Sequence, residues 1–246
     1  VDSGNLAGHL LTLRPGLIGL VEEPVVTVRL FEAIYDTCCL LKQALGQSGE
    51  QINGFETLLE GARRSKTSSL SELNTHLVGL ETSAAKILLN LILMCDPVRG
   101  IDQSEEVEIW ANALHQQCHA ALLELNMFSP WVQTQGFAKV VSVDPTLDQV
   151  PSLRQLADYD NLADQFNWQA LADLTAQDND DIKATLLSLR QASVRAQELI
   201  VTIENLASSL GKLAQMPFDF LYDSSRHLLS IGYNVEDHRL DQSFYD

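Results

Sequence analysis

Apolar residues recur every three or four positions through most of this chain, the spacing that gathers them on one face of an α-helix. Leu6, Leu10 and Leu13 mark a first helix over residues 2–13, which Arg14-Pro15-Gly16 is expected to stop. A second helix is predicted over 24–45, with Pro24 at a first helical position and Gly46 as its C-terminal stop. Val28, Phe31, Tyr35, Cys38 and Leu41/Leu45 form its stripe. Further helices are predicted over 50–62, 70–94 and 104–125, with a Lys/Ser/Thr linker at 65–69. In the last of these Asp102 is the expected N-cap, and Val107, Trp110, Leu114, Cys118 and Leu122 form the buried stripe. Pro130, Gly136, Pro145 and Pro151 make 127–151 the one long irregular stretch, with a short strand expected at 138–143. Short helices follow over 152–174.

The longest pattern comes next. Ile182, Leu186, Leu189, Ala196, Ile200, Ile203, Leu206, Leu210 and Leu213 hold the helical period from 181 to 215. At a rise of ~1.5 Å per residue this is roughly 50 Å of helix. Met216-Pro217 ends it. Residues 218–223 and 228–233 are short aromatic and apolar runs around Ser224-Ser225, which predicts a small β-hairpin. The fold class is therefore all-α, with over half of the residues helical and no sheet larger than a hairpin.

Composition narrows the function. The 246 residues are 46% hydrophobic and 20% charged, which is enough for a real core. The longest strongly apolar stretch, 87–95, contains Asn90 and is too short to span a bilayer, so no direct membrane span is expected. Asp and Glu number 33 against 16 Lys and Arg, a net charge of −17 that repels phosphate and excludes nucleic acid as a partner. A neutral ligand such as a sugar is compatible with that surface. Cys38, Cys39, Cys95 and Cys118 show no framework spacing and sit in apolar helical patterns, as expected of free thiols in a reducing compartment. The opening Val-Asp-Ser-Gly-Asn is not the basic and then apolar run of a signal peptide, and none is expected here. Val1 is not an initiator Met and the chain stops in mid-element at Asp246, so both ends are expected to be cuts.

Most candidate chemistry has a simpler explanation. His115 and His119, four apart on one helix face beside Cys118, have metal-ligand spacing, but a fourth ligand is missing and Cys118 belongs to the apolar stripe. No metal site and no cofactor are expected. Asp178 to Asp181 lack the glycine and terminal Glu of a calcium loop and suit the start of a helix. Glu22-Glu23 and Glu105-Glu106 point in different directions on a helix and are read as solvated surface. No G-x-S-x-G, P-loop or G-x-G-x-x-G occurs. The two ends differ from the rest. Asp2, Ser3 and Asn5 crowd the mouth of an apolar helix, where an N-cap explains only one of them. Residues 218–246 pack aromatic rings densely among carboxylates and amides, including Tyr222, Asp223, Tyr233 and Asn234. Rings can cover the C–H faces of a sugar while polar groups take its hydroxyls, yet a hairpin packed on its own core fits the composition equally well.

The run Met216-Pro217-Phe218-Asp219-Phe220-Leu221-Tyr222-Asp223, then Leu229-Ser230-Ile231-Gly232-Tyr233-Asn234-Val235-Glu236-Asp237-His238-Arg239-Leu240-Asp241, resembles the bacterial cyclic β-1,2-glucan synthases. The opening Val1-Asp2-Ser3-Gly4-Asn5-Leu6-Ala7-Gly8-His9-Leu10-Leu11-Thr12-Leu13 resembles the same family. The two blocks cover under a quarter of the chain. The resemblance implies a large parent on the cytoplasmic side of the inner membrane. A glycosyltransferase region would build the glucan from UDP-glucose, a central glycoamylase-like region would cyclise it by transglycosylation, and a phosphorylase-like region would trim it.

On that resemblance, 1–20 is a first (α/α)-barrel helix, 21–195 an inserted helical bundle, and 196–246 a second barrel helix with the aromatic hairpin of an incomplete domain. It implies β-1,2-glucan and the remainder of the same polypeptide as partners. Asp2, Ser3, Asn5, Tyr222, Asp223, Tyr233 and Asn234 are the expected glucan-binding residues. It implies no catalytic residue within these 246, since the carboxylates that glycosyl transfer requires lie downstream. The alternative is a helical scaffold joining the glycosyltransferase and cyclisation units without touching glucan.

Overall fold

The computed structural model describes residues 2–27, 29–46, 52–65, 69–94, 105–164 and 176–244. Among them are nine α-helices: α1 (Asp2–Gly19), α2 (Arg29–Leu45), α3 (Asn53–Arg64), α4 (Leu70–Met94), α5 (Glu105–Phe128), α6 (Phe137–Val143), α7 (Leu153–Ala157), α8 (Tyr159–Asp164) and α9 (Ala176–Ala214). Four short strands follow: β1 (Tyr222–Asp223), β2 (Leu228–Leu229), β3 (Tyr233–Asn234) and β4 (Arg239–Leu240). The chain is all-α, as its periodicity predicts. Two compact units divide it, Val1–Glu22 with Glu198–Asp246, and Glu23–Gln197.

In the Glu23–Gln197 unit, α2 packs on α3 and α5, and α4 on α3 and α5. The interior holds Phe31, Ile34, Cys38 and Leu41 of α2, Phe55 and Leu59 of α3, Leu77 and Leu80 of α4, and Leu114, Cys118 and Leu125 of α5. Burial raises the Cys38 and Cys118 thiols to about 12. The segment 129–152 closes the bundle. Trp131 is fully buried, donates from Nε1 to the Leu147 carbonyl at 3.1 Å and meets Tyr159 edge-on at 5.5 Å. Asp148 then caps α4 from a distance in sequence, accepting from the Ser71 N–H and hydroxyl at 2.8 and 2.7 Å and from the Ser69 hydroxyl at 2.7 Å. Gly136 lies so close to α9 that an added Cβ would stand 2.5 Å from the Asp181 carbonyl oxygen.

Several sequence expectations change here. α2 starts at Arg29 rather than Pro24, because Pro24 and Val25 are extended against Ser152 and Pro151. Val28, Asp102, Ser104 and Cys95 lie outside the described residues. Gly46, at φ 55°, does stop α2. On α5 the buried face is Val107, Ala111, Leu114, Cys118, Ala121 and Leu125, so Trp110 and Leu122 sit at its edge. The expected strand at 138–143 is helix α6, set by local turns around Pro130 and Pro145. α4 is long and apolar enough to cross a membrane by length and composition, which a reading confined to 87–95 missed. Its buried positions recur at helical spacing and pack on α3 and α5, while Val78, Leu89, Ile92 and Leu93 are exposed.

In the other unit, α1 continues through Pro15 to Gly19 instead of stopping at Arg14. Of the stripes expected from Leu6, Leu10 and Leu13 and from Ile203, Leu206, Leu210 and Leu213, Ile203 is buried, Leu10 and Leu210 are half-buried and the other four are exposed; the buried positions on α1 and on α9 within this unit are Ala7, Ile200, Ile203 and Ala207. Apolar residues surround α1 on nearly every side, so its periodicity does not select one face. The predicted single hairpin is two: β1 pairs with β2 and β3 with β4, both antiparallel.

Candidate functional site

The two hairpins are copies of one design. Tyr222, His227 and Leu229 recur as Tyr233, His238 and Leu240, each eleven residues on, around Asp223 and Asn234. In the first, Asp223 Oδ1 accepts from the Ser225 and Arg226 backbone N–H groups at 2.8 and 3.2 Å. In the second, Asn234 Oδ1 accepts from the Glu236 and Asp237 N–H groups at 3.0 and 3.1 Å. Such short side chains hold a turn by replacing a backbone acceptor. His227 and His238 complete the turns in the left-handed region, at φ 57° and 52°. The repeat Tyr-[Asp/Asn]-x3-His-x-Leu was the sequence signal for a second hairpin.

Buried Ser230 joins the copies. Its N–H donates to Leu221 at 2.8 Å, and its hydroxyl lies 3.0 and 2.9 Å from the Gly232 and Asp241 carbonyls. Phe220 and Tyr233 meet edge-on with centroids 5.5 Å apart. Around them is a largely apolar cavity of about 530 Å³, lined among others by Gly4, Phe218, Phe220, Leu229, Ile231 and Tyr233. A second cavity, of about 630 Å³, is polar and is bordered by Tyr233, Asn234, Arg239, Asp241 and Gln242. A third, of about 470 Å³, lies between α1 and the end of α9, where Arg14 rests over Gly211.

The predicted site residues fall as follows. Gly4 brings the opening block to the hairpin cavity that Tyr233 also lines. Asn5 is exposed on α1 and lines none of these cavities. Asp2 and Ser3 open α1, and their side chains lie outside the described set. Tyr222 is half exposed and its hydroxyl is 3.1 Å from His227 Nδ1. Asp223 Oδ1 and Asn234 Oδ1 are spent on their own turns, and Asp223 Oδ2 lies 3.8 Å from Arg226 Nε. The Ser225 hydroxyl and N–H, donating to Asp223, hold its carboxyl below the usual carboxylate range.

In the other unit, His115 Nε2 and His119 Nδ1 lie 3.9 and 3.6 Å from Glu81 Oε1, their rings stacked 6.1 Å apart, while Cys118 is buried in the core. Among the described residues no cluster of His, Cys, Asp and Glu is gathered for a metal ion.

Two blocks distant in sequence thus line one aromatic cavity. The chain is similar to a cyclic β-(1,2)-glucan synthase. It is 26% identical over 262 residues to the cyclic beta-(1,2)-glucan synthase NdvB of Rhizobium meliloti (strain 1021). The alignment takes in 100% of this chain and 7% of that relative's length. No protein-family model matches the chain.

Proposed function

We propose that this chain is the helical N-terminal portion of the cyclisation region of a cyclic β-1,2-glucan synthase, and that it supplies barrel wall and cleft rim rather than catalytic groups. The observation that carries the reading is the convergence of Gly4 with Phe220 and Tyr233 on one cavity. Similarity over the whole chain to a named glucan synthase supports it. In this reading the half-exposed Leu6, Leu13, Leu206 and Leu213 meet further helices of the same polypeptide, since large apolar patches mark interaction surfaces. The parent would be a transglycosylase at the cytoplasmic face of the inner membrane.

In the complete synthase, Tyr222→Ala and Asp2→Ala should reduce the yield of cyclic glucan more than incorporation of UDP-glucose into linear glucan. The 246-residue chain alone should neither hydrolyse nor cyclise β-1,2-glucan. Normal cyclisation by both variants would remove the cleft role and leave the scaffold reading. Turnover by the isolated chain would sink the claim that it lacks catalytic groups.

A further inference from the structure

We infer that Tyr233 is a stacking platform for one ring of a neutral saccharide, seated in the polar cavity of the second hairpin with Arg239, Asp241 and Gln242 at its hydroxyls. The assignment of that saccharide as β-1,2-glucan rests on the function proposed above; the platform itself rests on geometry. Tyr233 borders both hairpin cavities. Phe220 meets it at 87°, and a T-shaped partner covers at most one face of the tyrosine ring. Another face remains for a ligand, with Phe220 holding the ring in place.

The polar groups are divided between building and binding. Asn234 is committed to the turn, accepting from two N–H groups and donating to Asp237 at 2.9 Å. Arg239 contacts Asp237 Oδ2 through one nitrogen, at 3.2 Å, leaving most of its five donors. Asp241 Oδ1 accepts from the Ser243 N–H, leaving the second oxygen as an acceptor. With Gln242, donors and acceptors border the same cavity as Tyr233, as hydroxyl recognition demands. Arg239 and Asp241 balance at the cavity, and the net charge of −17 on the chain sets a field that disfavours a phosphorylated sugar or a uronate but not a neutral one. The apolar cavity, lined by Phe218, Leu221, Leu229 and Ile231, offers few partners to a saccharide's hydroxyls, so it serves as apolar wall of the cleft while the hydroxyls are met in the polar one.

The full 246-residue chain, titrated by calorimetry and saturation-transfer NMR, tests this. The probes are a linear β-1,2-gluco-oligosaccharide, a neutral β-1,4-gluco-oligosaccharide and a glucuronate-containing oligosaccharide. The neutral β-1,2 probe should bind and the uronate should not. Tyr233→Ala should weaken binding roughly tenfold, and Tyr233→Phe should preserve it. Retained Glu236 and Asp237 amide shifts in each variant establish that the turn is intact; a hairpin lost in Tyr233→Ala moves the test to Gln242→Ala, which should weaken binding a few-fold. β-1,2-glucan binding untouched by both substitutions would overturn the platform and leave the glucan reading standing. Tyr233-dependent binding of the β-1,4 probe without the β-1,2 probe would keep the platform and overturn the glucan reading. Failure of every neutral probe would overturn the platform outright.

Discussion

In the Glu23–Gln197 unit, Trp131, Phe31, Phe55 and Leu114 are fully enclosed, and each helix of the bundle has a neighbour for its apolar face. In the other unit Leu13, Leu206, Leu213 and Val235 stand 52%, 51%, 61% and 71% exposed, and its buried apolar positions are Ala7, Val21, Ile200, Ile203 and Ala207. Both regions carry strongly apolar helices, so composition does not separate them. Exposure does not separate them either, since the bundle leaves Leu89, Ile92, Leu93 and Leu187 exposed. What differs is the interior: the bundle encloses large side chains from several helices, whereas the terminal unit buries few apolar residues and its aromatic tail is held by local turns.

The widest gap in stability should appear between two aromatic truncations. Trp131→Ala removes a buried indole and orphans the Leu147 carbonyl, which should cost about 3–5 kcal/mol. Phe220→Ala, at a side chain 54% exposed, should cost under about 1 kcal/mol. Urea denaturation followed by helical circular dichroism measures both, and equal costs would break the contrast.

A pair of glycines gives a smaller effect with opposite signs. Gly136→Ala forces a Cβ to within 2.5 Å of the Asp181 carbonyl, an overpacking expected to cost about 1–3 kcal/mol. Gly211→Ala in the terminal unit meets Arg14 only at an ordinary 3.5 Å, and alanine's helix propensity should stabilise by up to ~1 kcal/mol. Thermal unfolding of the two variants checks the signs.

The smallest effect is a pH response confined to the first hairpin. The Asp223 carboxyl is depressed by its hydrogen bonds to Ser225. Its contribution to the turn is therefore complete above the unfolded carboxylate pKa of about 3.9 and fades as pH falls through the lower folded value. The Ser225 and Arg226 amide resonances should move toward random-coil positions only in that acidic window. Asn234, which does not ionise, should keep the Glu236 and Asp237 amides in place. Simultaneous loss of both turns at low pH would show that the copies are not independent.

Helix type and extent were largely legible from the chain itself. The period of three to four residues located both ends of α4 and those of α9 within a few residues, and Gly46 marked the end of α2. Those features are local, because a helix satisfies its backbone within one turn and its stops are set by neighbouring residues. The aromatic tail was legible as short extended runs for the same reason, though the eleven-residue repeat that makes two hairpins went unread.

Tertiary structure decided the rest. Whether Ala7 or Leu6 faces inward on α1 depends on what lies opposite, since a helix apolar all round has no preferred side. The start of α2 was moved by Pro151 and Ser152, more than a hundred residues away. Asp148 became the cap of α4 from 77 residues beyond Ser71, an assignment no local pattern contains. The candidate site follows the same division: residue types at both ends suggested polar and aromatic chemistry, but only folding set Tyr233 between an apolar and a polar cavity and consumed Asp223 and Asn234 in their turns. Local periodicity is written in the order of the residues, while a binding surface depends on distances between residues that the order leaves free.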